Sequence, residues 1–272
     1  MIRPRAGGAQ PLCYPSGMCE LLGMSANVPT DIVFSFTGFR MRGGRRAPHK
    51  DGWGIAFYEG KGLRVFLDAT PSAESQISHF VRSYPIKSTI VLSHIRRASV
   101  GRVALENTHP FVRELWGRFW VFAHNGRVPE VKKRPLGSFL PVGTTDSEHA
   151  FCWILDELRR AFPEHPKEPG ALGPRIHDLL ADLSGLGTFN ALLSEGEDLY
   201  AYADTRLHWV ERKAPFSRAR LIDEDLEVDF SEETTPDDRV AVIATTPLTS
   251  NEKWTRCGAD EFVVFRAGDR IA

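Results

Sequence analysis

The sequence contains little cysteine. Four cysteines occur in 272 residues, and Cys13, Cys19, Cys152 and Cys257 form no CxxC pair. Small secreted domains that depend on disulfides are much denser in cysteine, so this class of protein is excluded and a reducing compartment is favoured. We therefore expect a cytoplasmic protein in which any functional cysteine acts through its thiolate.

The sequence also lacks a net charge and long apolar runs. Lys and Arg total 34 against 35 Asp and Glu, which gives a net charge of -1, whereas proteins that coat nucleic acid or anionic membranes usually carry a basic surface. No run approaches the roughly 18 apolar residues of a membrane span, and the N-terminus lacks the apolar segment of a secretory signal. These absences predict neither a nucleic-acid partner nor membrane association.

The rest of the composition is typical of a globular protein, with 42% hydrophobic and 25% charged residues. Residues 1–17 are an exception, because glycine, proline and small residues dominate there without apolar periodicity. We expect a disordered leader or a misassigned start in that segment. A single ordered domain is expected over residues 18–272.

The order of the predicted elements indicates an α+β fold. Apolar runs predict strands at residues 18–24, 53–59, 63–67, 89–95, 119–124, 189–194, 199–203, 208–211, 240–244 and 262–265. Helical spacing and start signals predict helices near residues 32–39, 71–84, 145–161 and 175–183. No regular βαβ alternation is present, so antiparallel sheets are expected. Residues 27–30 are interpreted as a turn, residues 42–46 as a flexible loop and residues 223–229 as a solvated loop.

Cys19 stands directly after Met18. A lone cysteine in an apolar strand is more often a small buried hydrophobe than a nucleophile. If translation starts at Met18, or if the leader is cut there, removal of the methionine leaves Cys19 with a free α-amine. An amine of pKa about 7.7–8.0 can accept the thiol proton near neutral pH. Only such a processed chain would have an N-terminal nucleophile.

Two predicted strands end in residues that could bind a ligand. Arg96 or Arg97 can project from a strand end and hold a carboxylate through two hydrogen bonds, the alternative being a hydrated pair of surface arginines. Asn125 and Gly126 can form an oxyanion hole from a side-chain amide and a backbone N–H, the alternative being an ordinary hairpin turn.

Acidic and histidine side chains give two further hypotheses. Thr145 or Asp146 is a natural N-cap of the strong helix, but a carboxylate there can instead bind a substrate ammonium group. His94, His109 and His124 could indicate a zinc hydrolase. Their separations are long and include no HxH or HxxxH pair, so zinc is the least favoured alternative.

Six segments, taken in order, carry a resemblance to a known family. They are Met18-Cys19, Asp51-Gly52-Trp53-Gly54-Ile55-Ala56, His94-Ile95-Arg96, Asn107-Thr108-His109-Pro110-Phe111, His124-Asn125-Gly126 and Thr145-Asp146-Ser147-Glu148. This set resembles the class II glutamine amidotransferases, and a later segment, residues 243–249 with Trp254, resembles their compact YafJ-like branch. The resemblance implies an N-terminal nucleophile (Ntn) hydrolase with a four-layer αββα sandwich of two antiparallel sheets, acting without cofactor or metal.

The resemblance also implies a role for each matching residue. Cys19 would be the nucleophile and its α-amine the base. Arg96 would bind the α-carboxylate of glutamine, and Asp146 its α-ammonium. Asn125 and Gly126 would form the oxyanion hole.

The chain departs from the family pattern after the arginine motif. Other class II enzymes have Thr and His where this chain has Ser99 and Val100. Ser99 keeps a hydroxyl for substrate binding, whereas the Val100 side chain cannot bind a carboxylate. No synthase domain is recognisable, so the acceptor of ammonia is expected on a partner protein, unless the protein simply hydrolyses its substrate.

The predicted function is therefore hydrolysis of the side-chain amide of glutamine, or of a γ-glutamyl amide, through a glutamyl thioester that releases ammonia and glutamate. Two alternatives stay open. The protein could be a γ-glutamyl hydrolase of a thiol-containing metabolite. It could also be a non-catalytic glutamine-binding protein if the leader is retained on the chain.

Overall fold

The computed structural model describes residues 19–84, 87–98, 102–232 and 234–272. The predicted leader, Met18, Ser99 and Val100 lie outside these residues. Fifteen strands are described: β1 (Glu20–Asp31), β2 (Trp53–Glu59), β3 (Gly62–Asp68), β4 (Lys87–Ile95), β5 (Phe111–Leu115), β6 (Arg118–Arg127), β7 (Thr188–Ser194), β8 (Asp198–Ala203), β9 (His208–Lys213), β10 (Arg218–Arg220), β11 (Glu227–Asp229), β12 (Arg239–Ala244), β13 (Thr255–Arg256), β14 (Glu261–Arg266) and β15 (Asp269–Arg270). Four α-helices accompany them: α1 (Val33–Met41), α2 (Gln76–Ser83), α3 (Asp146–Ala161) and α4 (Gly173–Ser184).

The strands form two large antiparallel sheets. The first sheet has seven strands in the order β13-β9-β12-β1-β4-β2-β3, and the second has six in the order β15-β14-β8-β7-β6-β5. Strands β10 and β11 form a separate two-stranded ribbon. The prediction of antiparallel sheets is confirmed.

Side-chain alternation along the strands generates four layers. Leu92 of the first sheet and Leu192 of the second belong to one buried apolar cluster between the sheets. Ile55 packs in a second cluster with Phe36 of α1, on the outer face of the first sheet. The outer face of the second sheet packs against α3 and α4 in a third cluster. Because successive residues of a strand point to opposite faces, both faces of each sheet are covered. The result is the predicted αββα sandwich.

Local sequence signals place most elements correctly. The Gly60-Lys61-Gly62 hairpin signal joins β2 and β3 in register, with Glu59 opposite Gly62. Helix α3 has Thr145 as its N-cap, whose side chain accepts a hydrogen bond from Glu148 N at 3.1 Å. In the part of the chain that the structure covers, no helix is long and apolar enough to cross a membrane.

Strand β1 corrects the predicted turn at residues 27–30. The strand continues to Asp31, with a register shift between Ser25 and Thr30. Hydrogen bonds of the Asn27 side chain take the place of regular strand pairing there. The side chain accepts a hydrogen bond from Arg239 N at 2.7 Å and donates one to Asp237 O at 2.8 Å. Pro29, which has no N–H to donate, suits such an irregular strand segment.

Helix α2 corrects a second prediction. It begins at Gln76 with Ser75 as its cap rather than at Pro71. Its predicted apolar face is largely exposed, since Ile77, Phe80 and Tyr84 have relative exposures of 37%, 48% and 40%, and only Val81 of the predicted set is buried. Pro85, predicted to end this helix, lies outside the described residues.

Candidate active site

Cys19 lies immediately before β1, where this strand pairs with the end of β4. The register places Glu20 opposite Ile95. The Cys19 Sγ accepts a hydrogen bond from Arg97 N at 3.2 Å, and the thiol donates to Arg97 O at 3.4 Å. The thiol is therefore held against the segment that follows β4.

The Cys19 thiol is protonated at neutral pH in this environment. Burial raises its pKa to about 11, although the hydrogen bond from Arg97 and the charge of Arg96 act in the opposite direction. A thiol with this pKa is ionised in only about 1 molecule in 10⁴ at pH 7. Nucleophilic chemistry at Cys19 would therefore require a base.

Asn125 reaches Cys19 from the second sheet, and Gly126 follows it in β6. The Asn125 Nδ2 donates a hydrogen bond to the Cys19 carbonyl. Both residues lie inside β6, paired with Asn190 and Phe189, so the alternative of a hairpin turn is wrong. A side chain at Gly126 would place its Cβ 1.9 Å from the Thr188 carbonyl oxygen, which only glycine avoids.

Arg96 is buried at the end of β4, so the alternative of a hydrated surface arginine is wrong for this residue. Its backbone is held by the segment before β2, because Arg96 N donates to Gly52 O at 2.8 Å and Asp51 N donates to Arg96 O at 3.2 Å. The Asp51 carboxylate accepts from Ala98 N at 2.7 Å. Burial lowers the pKa of the Arg96 guanidinium from its usual value.

Asp146 is the first residue of α3, and the N-cap is Thr145 rather than Asp146. One Asp146 carboxylate oxygen accepts from Val128 N at 2.7 Å and the other from Ser147 N at 3.0 Å. The half-buried carboxylate therefore joins the start of α3 to the segment that follows β6.

Asn107 connects the Arg96 loop to the region before α3. The Arg102 carbonyl accepts from both Arg96 Nη1 at 3.2 Å and Asn107 Nδ2 at 3.1 Å. The Asn107 Oδ1 in turn accepts from Thr144 N at 2.8 Å. The sequence motif that contains Asn107 indicates no role for this residue, whereas the structure shows that Asn107 links the loops that carry Arg96 and Asp146.

His94, His109 and His124 lie close to these residues as buried, neutral imidazole rings. His94 and His109 stack with their centroids 4.3 Å apart, and burial lowers the pKa of His94 to about 3 and that of His109 well below its usual value. His124 bonds to Ser147 Oγ at 2.8 Å. Among the described residues, no group of three or more His, Cys, Asp or Glu side chains could hold a metal ion.

Comparison with known proteins identifies the family. The model of the family described as "Glutamine amidotransferases class-II" matches residues 18–272. The Escherichia coli protein named "Putative glutamine amidotransferase YafJ" is 56% identical over 254 residues, which cover 93% of this chain and all of that protein. The chain belongs to the class II glutamine amidotransferases.

Solved structures support the same family assignment. A crystal structure of a "predicted glutamine amidotransferase" from Pseudomonas aeruginosa is 48% identical, with a TM-score of 0.75, and covers 93% of this chain and all of that one. The glutamine phosphoribosylpyrophosphate amidotransferase of B. subtilis shares the fold at a TM-score of 0.57 and 14% identity, over 93% of this chain and 48% of that one. The fold is that of the Ntn hydrolases.

Arg42 is a structural residue of this amidotransferase that sequence reasoning missed. The predicted flexible loop is wrong at this position, because Arg42 is fully buried at the end of α1. Its Nη1 donates to Glu20 Oε2 at 3.0 Å, and its Nε donates to Asp223 Oδ2 at 2.9 Å. Asp223, placed by the sequence in a solvated loop, is also buried. Arg42 therefore anchors the residue that follows Cys19.

We expect Arg42→Met to lower the free energy of unfolding by about 3–5 kcal/mol, because the buried carboxylates of Glu20 and Asp223 would lose their cation. Denaturant unfolding measures this change. The control is Arg64→Met, which removes the exposed ion pair of Arg64 with Glu59 and should hardly move the midpoint. Equal, small effects of both substitutions would contradict the assigned role of Arg42.

Proposed function

We propose that this amidotransferase hydrolyses the side-chain amide of glutamine through a glutamyl thioester on Cys19. The observation that carries the proposal is the contact of Asn125 Nδ2 with the Cys19 carbonyl. This contact brings an amide donor from the second sheet to the cysteine at the start of the first sheet, where Arg96 also lies. A thiol, an amide donor and a buried guanidinium at one place are the groups that amide hydrolysis at an amino-acid substrate requires.

In the proposed complex, charged residues fix the substrate before chemistry begins. Arg96 binds the α-carboxylate of glutamine and Asp146 the α-ammonium, while the Ser99 hydroxyl adds a polar contact. Holding both ends of the amino acid restricts where its side-chain amide can lie relative to Cys19. Burial of Arg96 strengthens its attraction for a carboxylate, since little water screens it.

The reaction proceeds in two steps once Cys19 is the first residue. Its α-amine accepts the thiol proton, and the thiolate attacks the amide carbon. Asn125 Nδ2 and the Gly126 N–H stabilise the negative oxygen of the tetrahedral intermediate, a contribution of roughly 3–4 kcal/mol for one such donor in other enzymes. The C–N bond breaks, ammonia leaves with a proton from the α-ammonium, and water then hydrolyses the thioester to glutamate and free thiol.

An assay of ammonia and glutamate release tests the proposal. The protein should begin at Cys19, as verified by intact mass, and the substrates should be glutamine and a γ-glutamyl amide of a thiol-containing metabolite. Equimolar ammonia and glutamate from glutamine are expected. A folded, correctly processed protein that releases neither product from glutamine would overturn the proposal. Release of glutamate and the free amine of the metabolite from the γ-glutamyl amide alone would replace it by the second predicted activity.

Arg96→Lys is expected to raise the KM for glutamine by about 10–100-fold with a smaller change in kcat, because lysine replaces a two-point contact with the α-carboxylate by a single charge. Steady-state kinetics separate the two constants. Arg102→Lys is the matched control, since its side chain is exposed and, among the residues that the structure describes, its ion pair is a long one with Glu106 at 3.5 Å. The proposed role of Arg96 fails if both variants keep the wild-type KM.

Two further features belong to the proposal. A reducing, cytoplasmic location is supported by the described cysteines Cys19, Cys152 and Cys257, which are all free thiols. A partner protein that accepts the ammonia is also proposed, because the chain belongs to the amidotransferases and an amidotransferase delivers the nitrogen of glutamine to an acceptor.

A further inference from the structure

A polar cavity of about 410 Å³ lies beside the turn between β7 and β8. Its volume is in the range of small-molecule sites. Trp116, Arg118, His165, Glu195, Asp198 and Arg266 contribute to its wall. Asn190 pairs with Asn125, the residue that contacts Cys19. Glu195 in the cavity wall lies five residues of extended chain, roughly 16 Å, beyond Asn190. The cavity is therefore remote from Cys19.

Three buried polar atoms of this wall have no hydrogen-bond partner among the described residues. They are Glu195 Oε2, Trp116 Nε1 and His165 Nε2. Glu195 is only 4% exposed, and its other oxygen accepts from Asp198 N at 3.2 Å. Buried polar atoms are nearly always paired in folded proteins. The wall of the cavity thus holds a buried carboxyl group with one oxygen unpaired among the described residues.

The charges of the wall indicate what the ligand carries. Arg266 binds both oxygens of Asp198 at 2.6 Å, and Arg118 binds Glu197 at 2.8 Å. Both arginines of the wall are thus engaged by other carboxylates. Among the acidic residues of the wall, Glu195 is a buried one that forms no ion pair within the described residues.

Trp116 provides an aromatic surface in a costly conformation. It occupies the β5–β6 hairpin turn with a φ of +60°, followed by Gly117 at +72°. The left-handed region costs a residue other than glycine roughly 1–2 kcal/mol. The turn places the Trp116 ring 5.8 Å from the His165 ring, edge to face. Aromatic faces are common in sites that bind organic cations, and Trp116 lines the same cavity as Glu195.

We propose that this cavity is a second binding site, specific for a small organic cation such as an alkylguanidinium, whose charged group pairs with Glu195 beside the Trp116 ring. The site is independent of the chemistry proposed at Cys19.

Proton release provides a specific signature of this site. Burial and the nearby Asp198 carboxylate raise the pKa of Glu195 to about 8, so the empty site holds a proton at pH 7. A bound cation favours the ionised carboxylate, and binding must therefore expel that proton. Affinity rises with pH up to about 8 and then levels off, which gives about a tenfold increase between pH 7 and pH 9.

Other charged and titratable groups also surround Glu195. They are Asp198, Glu197, Tyr58, Tyr200, His165, Arg118 and Arg266, with the exposed Lys167 and Glu168 in the same cavity wall. Burial raises the pKa of Tyr58 and Tyr200, and burial lowers that of His165. The tyrosines therefore stay protonated and His165 stays neutral between pH 7 and pH 9.

Calorimetric titration of the full chain with n-butylguanidinium tests the proposal, with its neutral isostere n-butylurea as the comparison. Wild-type protein should bind the cation with about tenfold higher affinity at pH 9 than at pH 7. Titrations in buffers of different ionisation enthalpy should show release of nearly one proton at pH 7. The urea should bind at least tenfold more weakly at pH 9.

Glu195→Gln should lower the affinity for the cation at least tenfold at pH 9 and abolish its pH dependence. Glu168→Gln, at an exposed residue of the same cavity, should change the affinity less than about threefold and keep the pH dependence. Absence of saturable binding by the wild type, equal binding of the urea, or pH-independent binding would each overturn the proposal. The wild-type titrations decide the matter even if Glu195→Gln fails to fold.

Discussion

Cys19→Ala, introduced into a chain that begins at this residue, is expected to lower kcat/KM for ammonia release from glutamine by at least about 10⁴-fold, because removal of a nucleophile in a comparable hydrolase has costs of this order. The reason is structural as well as chemical. The other described thiols lie elsewhere, with Cys152 inside α3 and Cys257 before β14, and burial raises the pKa of both. Neither can replace Cys19 next to Asn125.

Cys152→Ala is the matched control for this prediction. It removes one buried thiol of similar pKa from α3 and should leave kcat/KM within about threefold of the wild type. Glutamine binding by Cys19→Ala, measured by calorimetry, should persist because Arg96 and Asp146 remain. Comparable activity of both variants would show that Cys19 is not the nucleophile. Loss of binding by a folded Cys19→Ala would instead place Cys19 in substrate binding.

Retention of the segment before Cys19 is expected to lower activity by at least about 10²-fold, since general-base catalysis contributes roughly 10²–10⁴. In the longer chain the nitrogen of Cys19 is an amide and cannot accept a proton. Burial keeps the pKa of the thiol near 11, so attack would depend on the small fraction of thiolate. The same preparation can be assayed before and after proteolytic removal of residues 1–18.

The pH dependence distinguishes the two forms of the protein. Activity of the processed chain should rise with the titration of an α-amine near pH 7.7–8.0. Residual activity of the longer chain should instead rise about tenfold per pH unit toward the pKa of the thiol, about 11. Equal activities and equal profiles before and after cleavage would rule out the α-amine as the base.

The elements of the fold were largely predictable from local patterns. The β2–β3 hairpin follows from two β-rich runs around glycine-containing residues 60–62, and α3 follows from a cap at Thr145 and an apolar stripe that includes Ile154. Such signals depend on neighbours within a few residues. The exposure of the apolar face of α2 was not predictable, because an apolar stripe in a sequence does not show whether another element covers it.

Sequence motifs also identified most of the candidate site. Cys19, Arg96, Asn125 and Asp146 are candidates because their segments occur together and in a particular order. In the structure, Cys19 and Arg96 flank the paired ends of β1 and β4, Asn125 contacts Cys19, and Asp146 begins α3. The motifs could not show what each side chain contacts. Asn125 bonds to the main chain of Cys19, 106 positions away, and no local pattern reports such a pairing.

The sequence by itself determined ten of the fifteen described strands, the four helices, the amidotransferase family and the cysteine on which the proposed chemistry depends. Only the tertiary structure decided that Arg42 is buried with Glu20 and with Asp223, which is 181 positions away. It also decided that Glu195 lies unpaired in a second cavity. The physical reason is that secondary structure follows from short-range backbone and apolar periodicity, whereas burial and charge pairing depend on which distant segments the two sheets bring together.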